Sequence, residues 1–166
     1  METLPARRSL AEQMQAYRPP AWDALPDLGL YMDQVITFLE RQLSPLRPAG
    51  VKDKIITRAM VNNYVKMRVI PRPVNKKYER AHLAALLMLC ALKPVLPMDA
   101  IGRLLAGQGE DLRAGYEAFC VHQRAALQQA NAALASAATD ALHCAVQASA
   151  LCLAAEALLP PSREPD

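Results

Sequence analysis

The sequence predicts an all-α chain that ends in a long, alanine-rich helical segment. Three observations predict it. Of the 166 residues, 52% are apolar but only 5% are aromatic. Alanine makes up the difference, with 30 residues, 17 of them between Ala114 and Ala157. Strands favour β-branched and aromatic side chains, so this composition argues against a sandwich or a barrel. Apolar residues also recur at helical spacing, with proline or glycine between most of the runs.

Residues 1–25 read as an N-terminal extension, partly irregular. Ser9 to Tyr17 has the form of a short helix, with Ser9 as cap and Glu12 three positions on. Pro19, Pro20 and Pro26 leave the rest irregular, docked through Trp22 or loose. Tyr31 to Leu43 is a helix, with Tyr31, Val35, Phe38 and Leu39 on one side and Ser44-Pro45 as its stop. Pro45, Pro48 and Gly50 make a loop. Thr57 caps a second helix that runs to about Met67. Its inward side reads Ile56, Met60, Tyr64 and Met67; Arg58, Asn62 and Lys66 form a stripe on the other side.

Pro71 and Pro73 favour extended backbone, and Val69, Ile70 and Val74 are the densest β-branched patch of the chain. Asn75-Lys76-Lys77 follows as a polar turn, so the segment reads as a small β-wing with two lysines at its tip. Arg80 to Leu92 is apolar nearly all round and belongs at the centre of the core. Pro97 opens a short helix over Met98 to Leu105, and Gly107 and Gly109 punctuate. From Glu110 to Leu159 there is no proline and one glycine, Gly115, which allows one helix or two abutting ones. Gln129, Ser136, Asp140, His143 and Gln147 fall on one narrow stripe, and the remaining circumference is apolar. Such a segment has to bury most of itself, and a homodimer through the C-terminal helices is the expected solution. The alternative is packing on the chain's own first domain.

Charge is segregated. Residues 1–46, 47–93 and 94–166 balance at −2, +9 and −4, within a net +3. A basic middle between acidic ends points to a polyanion, double-stranded DNA above all, unless it is an ordinary solvated face. The stripe Arg58, Asn62, Lys66 has the donors that read base edges in a major groove, with Asn63 near one edge. Arg72, Lys76 and Lys77 would hold phosphates from the wing. Tyr64 would pack inward with its hydroxyl within reach of a phosphate.

Other classes have little support. His82, His122 and His143 have no nucleophile beside them, and no glycine-rich phosphate loop exists, so neither a catalytic residue nor a cofactor is expected. Cys90, Cys120, Cys144 and Cys152 form no Cys-x-x-Cys pair and read as small buried hydrophobes, with no metal site. Residues 1–20 lack the apolar run of a signal peptide. His143, Gln147 and Glu156 interrupt the nearest candidate for a membrane span, at 141–159. A cytoplasmic protein without a membrane partner is the expectation.

Thr57, Tyr64 and Val69-Ile70-Pro71, then Tyr78, then Met98 and Ile101, follow the order of the mercury-resistance-regulator (MerR-like) DNA-binding family, which the chain resembles. That resemblance implies a winged helix-turn-helix at 26–107, a C-terminal dimerisation segment at 108–160, a disordered tail at 161–166, and Tyr78 as the wing tyrosine among the DNA contacts. Asn62 stands where that family has an arginine, and Arg68 where it has a glycine, which implies a left-handed or alternative exit at Arg68. Leu30-Tyr31-Met32-Asp33-Gln34-Val35, Met60-Val61-Asn62-Asn63-Tyr64-Val65-Lys66 and Asn75-Lys76-Lys77-Tyr78 with His82 resemble more closely the bacterial family of domain of unknown function eighteen-thirty-six, over about 26–106. The function implied is a DNA-binding transcriptional regulator. The alternative is a non-enzymatic protein–protein interaction module on a degenerate helix-turn-helix scaffold. No effector is implied, because the MerR-like cysteine pattern is missing.

Overall fold

The computed structural model describes residues 3–47, 51, 53–108, 111–136 and 139–161. Among them the α-helices are α1 Thr3–Ala16, α2 Met32–Leu43, α3 Arg58–Lys66, α4 Arg80–Leu92, α5 Met98–Ala106, α6 Leu112–Ala135 and α7 Ala141–Leu158. Short 3-10 turns lie at Trp22–Ala24 and Ser44–Leu46. The chain is all-α, as its composition predicts.

The core is built around α4. Every residue from His82 to Cys90 is buried, which is where a helix apolar all round must go. Val35, Leu39 and Leu43 of α2, Val61 and Tyr64 of α3, and Ala100, Ile101 and Leu105 of α5 close around it. α6 crosses α4 and carries α1 on its other contacts. Leu25 and Tyr116 belong to the same cluster, so the folded unit extends beyond 26–107 on both sides. The Tyr116 hydroxyl donates to the Pro20 carbonyl at 2.8 Å, and its ring lies 6.0 Å from that of Trp22. Asp23 pairs with Arg113 at 2.9 Å and with Arg80 at 3.6 Å. These contacts fasten the proline-rich segment to α4 and α6.

Several local expectations are corrected. α1 starts at Thr3, so Ser9 lies inside a helix and caps nothing. Pro5 sits in its first turn, where a missing N–H costs no hydrogen bond. Tyr31 is the N-cap of α2 and is exposed, because the buried side of that helix runs through Val35, Leu39 and Leu43. Met60 and Met67 are exposed as well: α3 is rotated so that Val61 rather than Met60 meets the core. The C-terminal segment is two helices. Ser136 is extended, and the Asp140 carboxylate caps α7 by accepting from the His143 N–H at 2.8 Å. The loop residues Pro48 and Gly50, Gly109, and the tail beyond Pro161 lie outside the described residues.

The expected β-wing is not a sheet. Among the described residues there is no strand, only two isolated antiparallel bridges, Val74 with Lys77 and Leu30 with Tyr78. Pro71 and Pro73 lack the N–H groups that would extend the pairing. What remains is a two-residue turn. Asn75 and Lys76 have φ of 51° and 63°, and Val74 and Lys77 exchange both backbone hydrogen bonds at 3.1 and 2.9 Å. Positive φ at both central residues is the tight hairpin geometry that Asn favours.

α7 stands apart. None of its residues is buried; Val146 is 60% and Leu158 85% exposed. A Leu or Val left in water forgoes about 1.5–3 kcal/mol of transfer free energy.

Candidate nucleic-acid interface

Thr57 is extended and its hydroxyl accepts from the Met60 N–H at 3.2 Å, so α3 begins where the sequence places its cap. Asn62 and Lys66 are exposed on one stripe of this helix. Arg58, at the head of the stripe, is exposed but paired with Asp33 of α2. Asn63 is exposed beside them, its amide 3.5 Å from the Met67 sulfur. Tyr64 lies on the buried side, and burial pushes its phenol pKa up. Its carbonyl accepts from the N–H groups of Val69 and Ile70 at 3.0 and 3.3 Å and turns the chain out of α3. Arg68 makes that turn with φ 59°, a left-handed exit, one of the two forms the sequence left open. Arg68 and Arg72 line one cleft of about 310 Å³, with Val65 and Leu105 in its walls.

The two-residue turn is held at both ends. Tyr78 exchanges backbone hydrogen bonds with Leu30 at 2.8 and 2.9 Å. Its side chain is 3% exposed, with the ring edge-on to His82 at 5.6 Å. Its side chain therefore packs the wing rather than facing outward with the lysines. His82 is the other fastener. Its Nδ1 accepts from the Glu79 N–H at 3.0 Å, so the proton is on Nε2, which donates to the Arg72 carbonyl at 3.3 Å. Lys77 lies with its Nζ 5.4 Å from the centre of the Tyr31 ring, a cation–π contact. Gly29 permits this: a Cβ there would sit 2.8 Å from the Lys77 Cβ. Lys76 is exposed at the tip.

The start of α2 thus touches both basic pieces. Asp33 meets Arg58 of α3, Tyr31 meets Lys77, and Leu30 pairs with Tyr78. The family model for a domain of unknown function, DUF1836, matches residues 20–121. The chain belongs to this family. The DUF1836 match begins at the docked proline segment and ends within α6, five residues after Tyr116, so it takes in the buried cluster from Leu25 to Tyr116 and leaves α7 outside. No curated protein and no solved structure matches the chain.

Within the DUF1836 domain, Arg58, Asn62, Asn63, Lys66, Arg72, Lys76 and Lys77 are exposed as their pattern predicts, while Tyr64 and Tyr78 are buried. Sequence reasoning left Asp33 and Gly29 without a place at this surface, and read His82 as a hydrogen-bonding residue of the wing or core, which it is. Asp33 lies 25 positions from Arg58, and nothing local joins them. A cleft of about 410 Å³ opens elsewhere in the domain, lined by Leu43, Arg47, Ile55, Cys90 and Gln123. Burial pushes the Cys90 thiol up to about 11, which makes it a neutral wall residue. Among the described residues no three His, Cys, Asp or Glu side chains gather closely enough to hold a metal ion.

Proposed function

We propose that the chain is a DNA-binding transcriptional regulator that lays α3 in a major groove and the Asn75–Lys76 turn along the phosphate backbone, in the manner of MerR-like winged helix-turn-helix proteins. The observation that carries this reading is that Asn62, Lys66, Arg68, Arg72, Lys76 and Lys77, six donors within sixteen residues, are all exposed. Asn62 is the base reader, because a side-chain amide matches adenine with two hydrogen bonds. Arg58 and Lys66 flank it. The turn lysines contribute counterion release and no sequence preference.

Selection of bound fragments from a random duplex pool at two salt concentrations tests the reading. Replacing Lys76 and Lys77 by alanine should weaken binding to every sequence and flatten the salt slope by up to about two units. Asn62→Ala should relax preference at one base pair and leave the slope unchanged. Absence of all binding at low salt would sink the proposal. The second reading, a protein-interaction module on the same scaffold, would then take its place. The Arg58–Asp33 pair and the asparagine at position 62 favour it.

A further inference from the structure

Resting on the DNA-binding reading of α3, we infer that Asp33 makes Arg58 a reader of guanine rather than a phosphate contact. The guanine lies about two base pairs from the adenine assigned to Asn62.

The start of α2 holds two cations, in different ways. Lys77 lies on the face of Tyr31, which leaves its charge in place. Arg58 donates from its terminal Nη2 to the Asp33 carboxylate. Among the described residues each of these two is the other's only ion-pair partner, and both are exposed. The pair is neutral as a whole. A phosphate contact draws on charge, through the counterions that it releases, and a neutral pair has little to release. A base contact draws on the number and direction of donors instead. A guanidinium carries its N–H groups in a fixed plane, and the carboxylate takes one nitrogen and leaves the rest of the fork. Paired donation to O6 and N7 of guanine is the contact such a fork fits.

The backbone under Asp33 is well fastened. Asp33 stands in the first turn of α2, two positions after the Tyr31 N-cap, whose N–H donates to the Gln34 side chain at 2.9 Å. Leu30, just before that cap, exchanges backbone hydrogen bonds with Tyr78. Arg58 is the first residue of α3, and the N-terminal residues of a recognition helix are those that reach base edges. A long side chain loses rotamer freedom when it docks, and a partner that already holds its end removes part of that loss. Arg58 and Asn62 are four residues apart, about 6 Å along α3. Successive base pairs are about 3.4 Å apart, which sets the spacing of guanine and adenine.

The competing role for Asp33 is to cancel Arg58 and keep it off the duplex. Selection from a random duplex pool, then affinities at several salt concentrations for the selected site and for a copy with the guanine replaced, separates the two. The full native chain should select guanine about two base pairs from the adenine. Arg58→Ala should lose that preference, about fivefold or more, and keep the one at the adenine. Asp33→Ala leaves Arg58 charged and unheld. It should steepen the salt slope by up to about one unit while the guanine preference falls about threefold. Asp33→Asn drops the charge but keeps an acceptor, so it should steepen the slope equally and retain more of the preference. In the Arg58→Ala background, Asp33→Ala should change no base preference. Mere damage to the start of α2 would weaken both base positions alike and would not steepen the slope. No guanine at that distance, or an Asp33→Ala variant with native guanine preference or native slope, overturns the role of Asp33 and leaves α3 as the DNA-binding helix. Absence of binding by the native chain at low salt removes both.

Discussion

Lys76 holds a backbone conformation that costs an L-residue roughly 1–2 kcal/mol, beside an asparagine that tolerates it better. Lys76→Gly should therefore raise stability by about 1 kcal/mol, read as a higher urea midpoint at unchanged slope. The same variant should lose about one unit of salt slope in DNA binding. A variant that gained neither stability nor lost slope would show that the turn is not strained and not in contact. At this scale the sequence is legible where the cause is local. The polar turn at Asn75 follows from neighbouring residues, whereas the form of the exit at Arg68 does not. The Arg58–Asp33 pair and the stacking of Lys77 on Tyr31 are tertiary accidents of where α2 begins, and no spacing announces them.

At nine residues α3 is shorter than the roughly 12–15 at which isolated helices are even marginal, so its ends and its packing hold it. Thr57→Ala removes the one side-chain cap of its first turn. The expected loss is about 1 kcal/mol, measured by urea denaturation and restored by Thr57→Ser. The existence of α2, α3, α4 and α5 follows from periodicity, caps and prolines, and the central place of α4 from its uniform apolarity. The rotation of α3 does not. Met60 and Val61 are adjacent and both apolar, and only the shape of the neighbouring core decides that Val61 goes in. The division between α6 and α7 is similar. No glycine or proline marks it, and Asp140 reads as a cap only once the chain is known to break there.

The whole molecule is closed by the Pro20–Trp22 segment under α6, and that closure has a pH signature. Burial, with a smaller contribution from nearby Cys120, pushes the Tyr17 phenol from 10.0 up to about 12, and burial raises Tyr116 as well. A phenol whose pKa is raised on folding favours the folded state fully below its unfolded value and loses that advantage as pH climbs through its folded one. Stability should thus be insensitive to these groups up to about pH 9 and should fall between about pH 10 and 12. Tyr17→Phe should flatten the fall, whereas Tyr116→Phe should also cost about 1 kcal/mol at neutral pH, because the Pro20 carbonyl loses its donor. Denaturant midpoints across that range decide it.

The segregation of charge along the chain reaches further than any single contact. A +9 stretch and a −4 stretch in one chain give its copies surfaces of opposite charge to offer one another, and a polyanion a basic stretch to meet if it binds one. Attraction between opposite charges on two molecules is strongest when salt is scarce, and screening abolishes it beyond about 10 Å at 0.1 M. Any association through exposed apolar side chains responds in the opposite sense, since sulfate and similar salts strengthen apolar contacts. Ionic strength therefore acts as a sorting variable: association that dissolves as salt is added is held by charge, and association that persists is held by apolar contact.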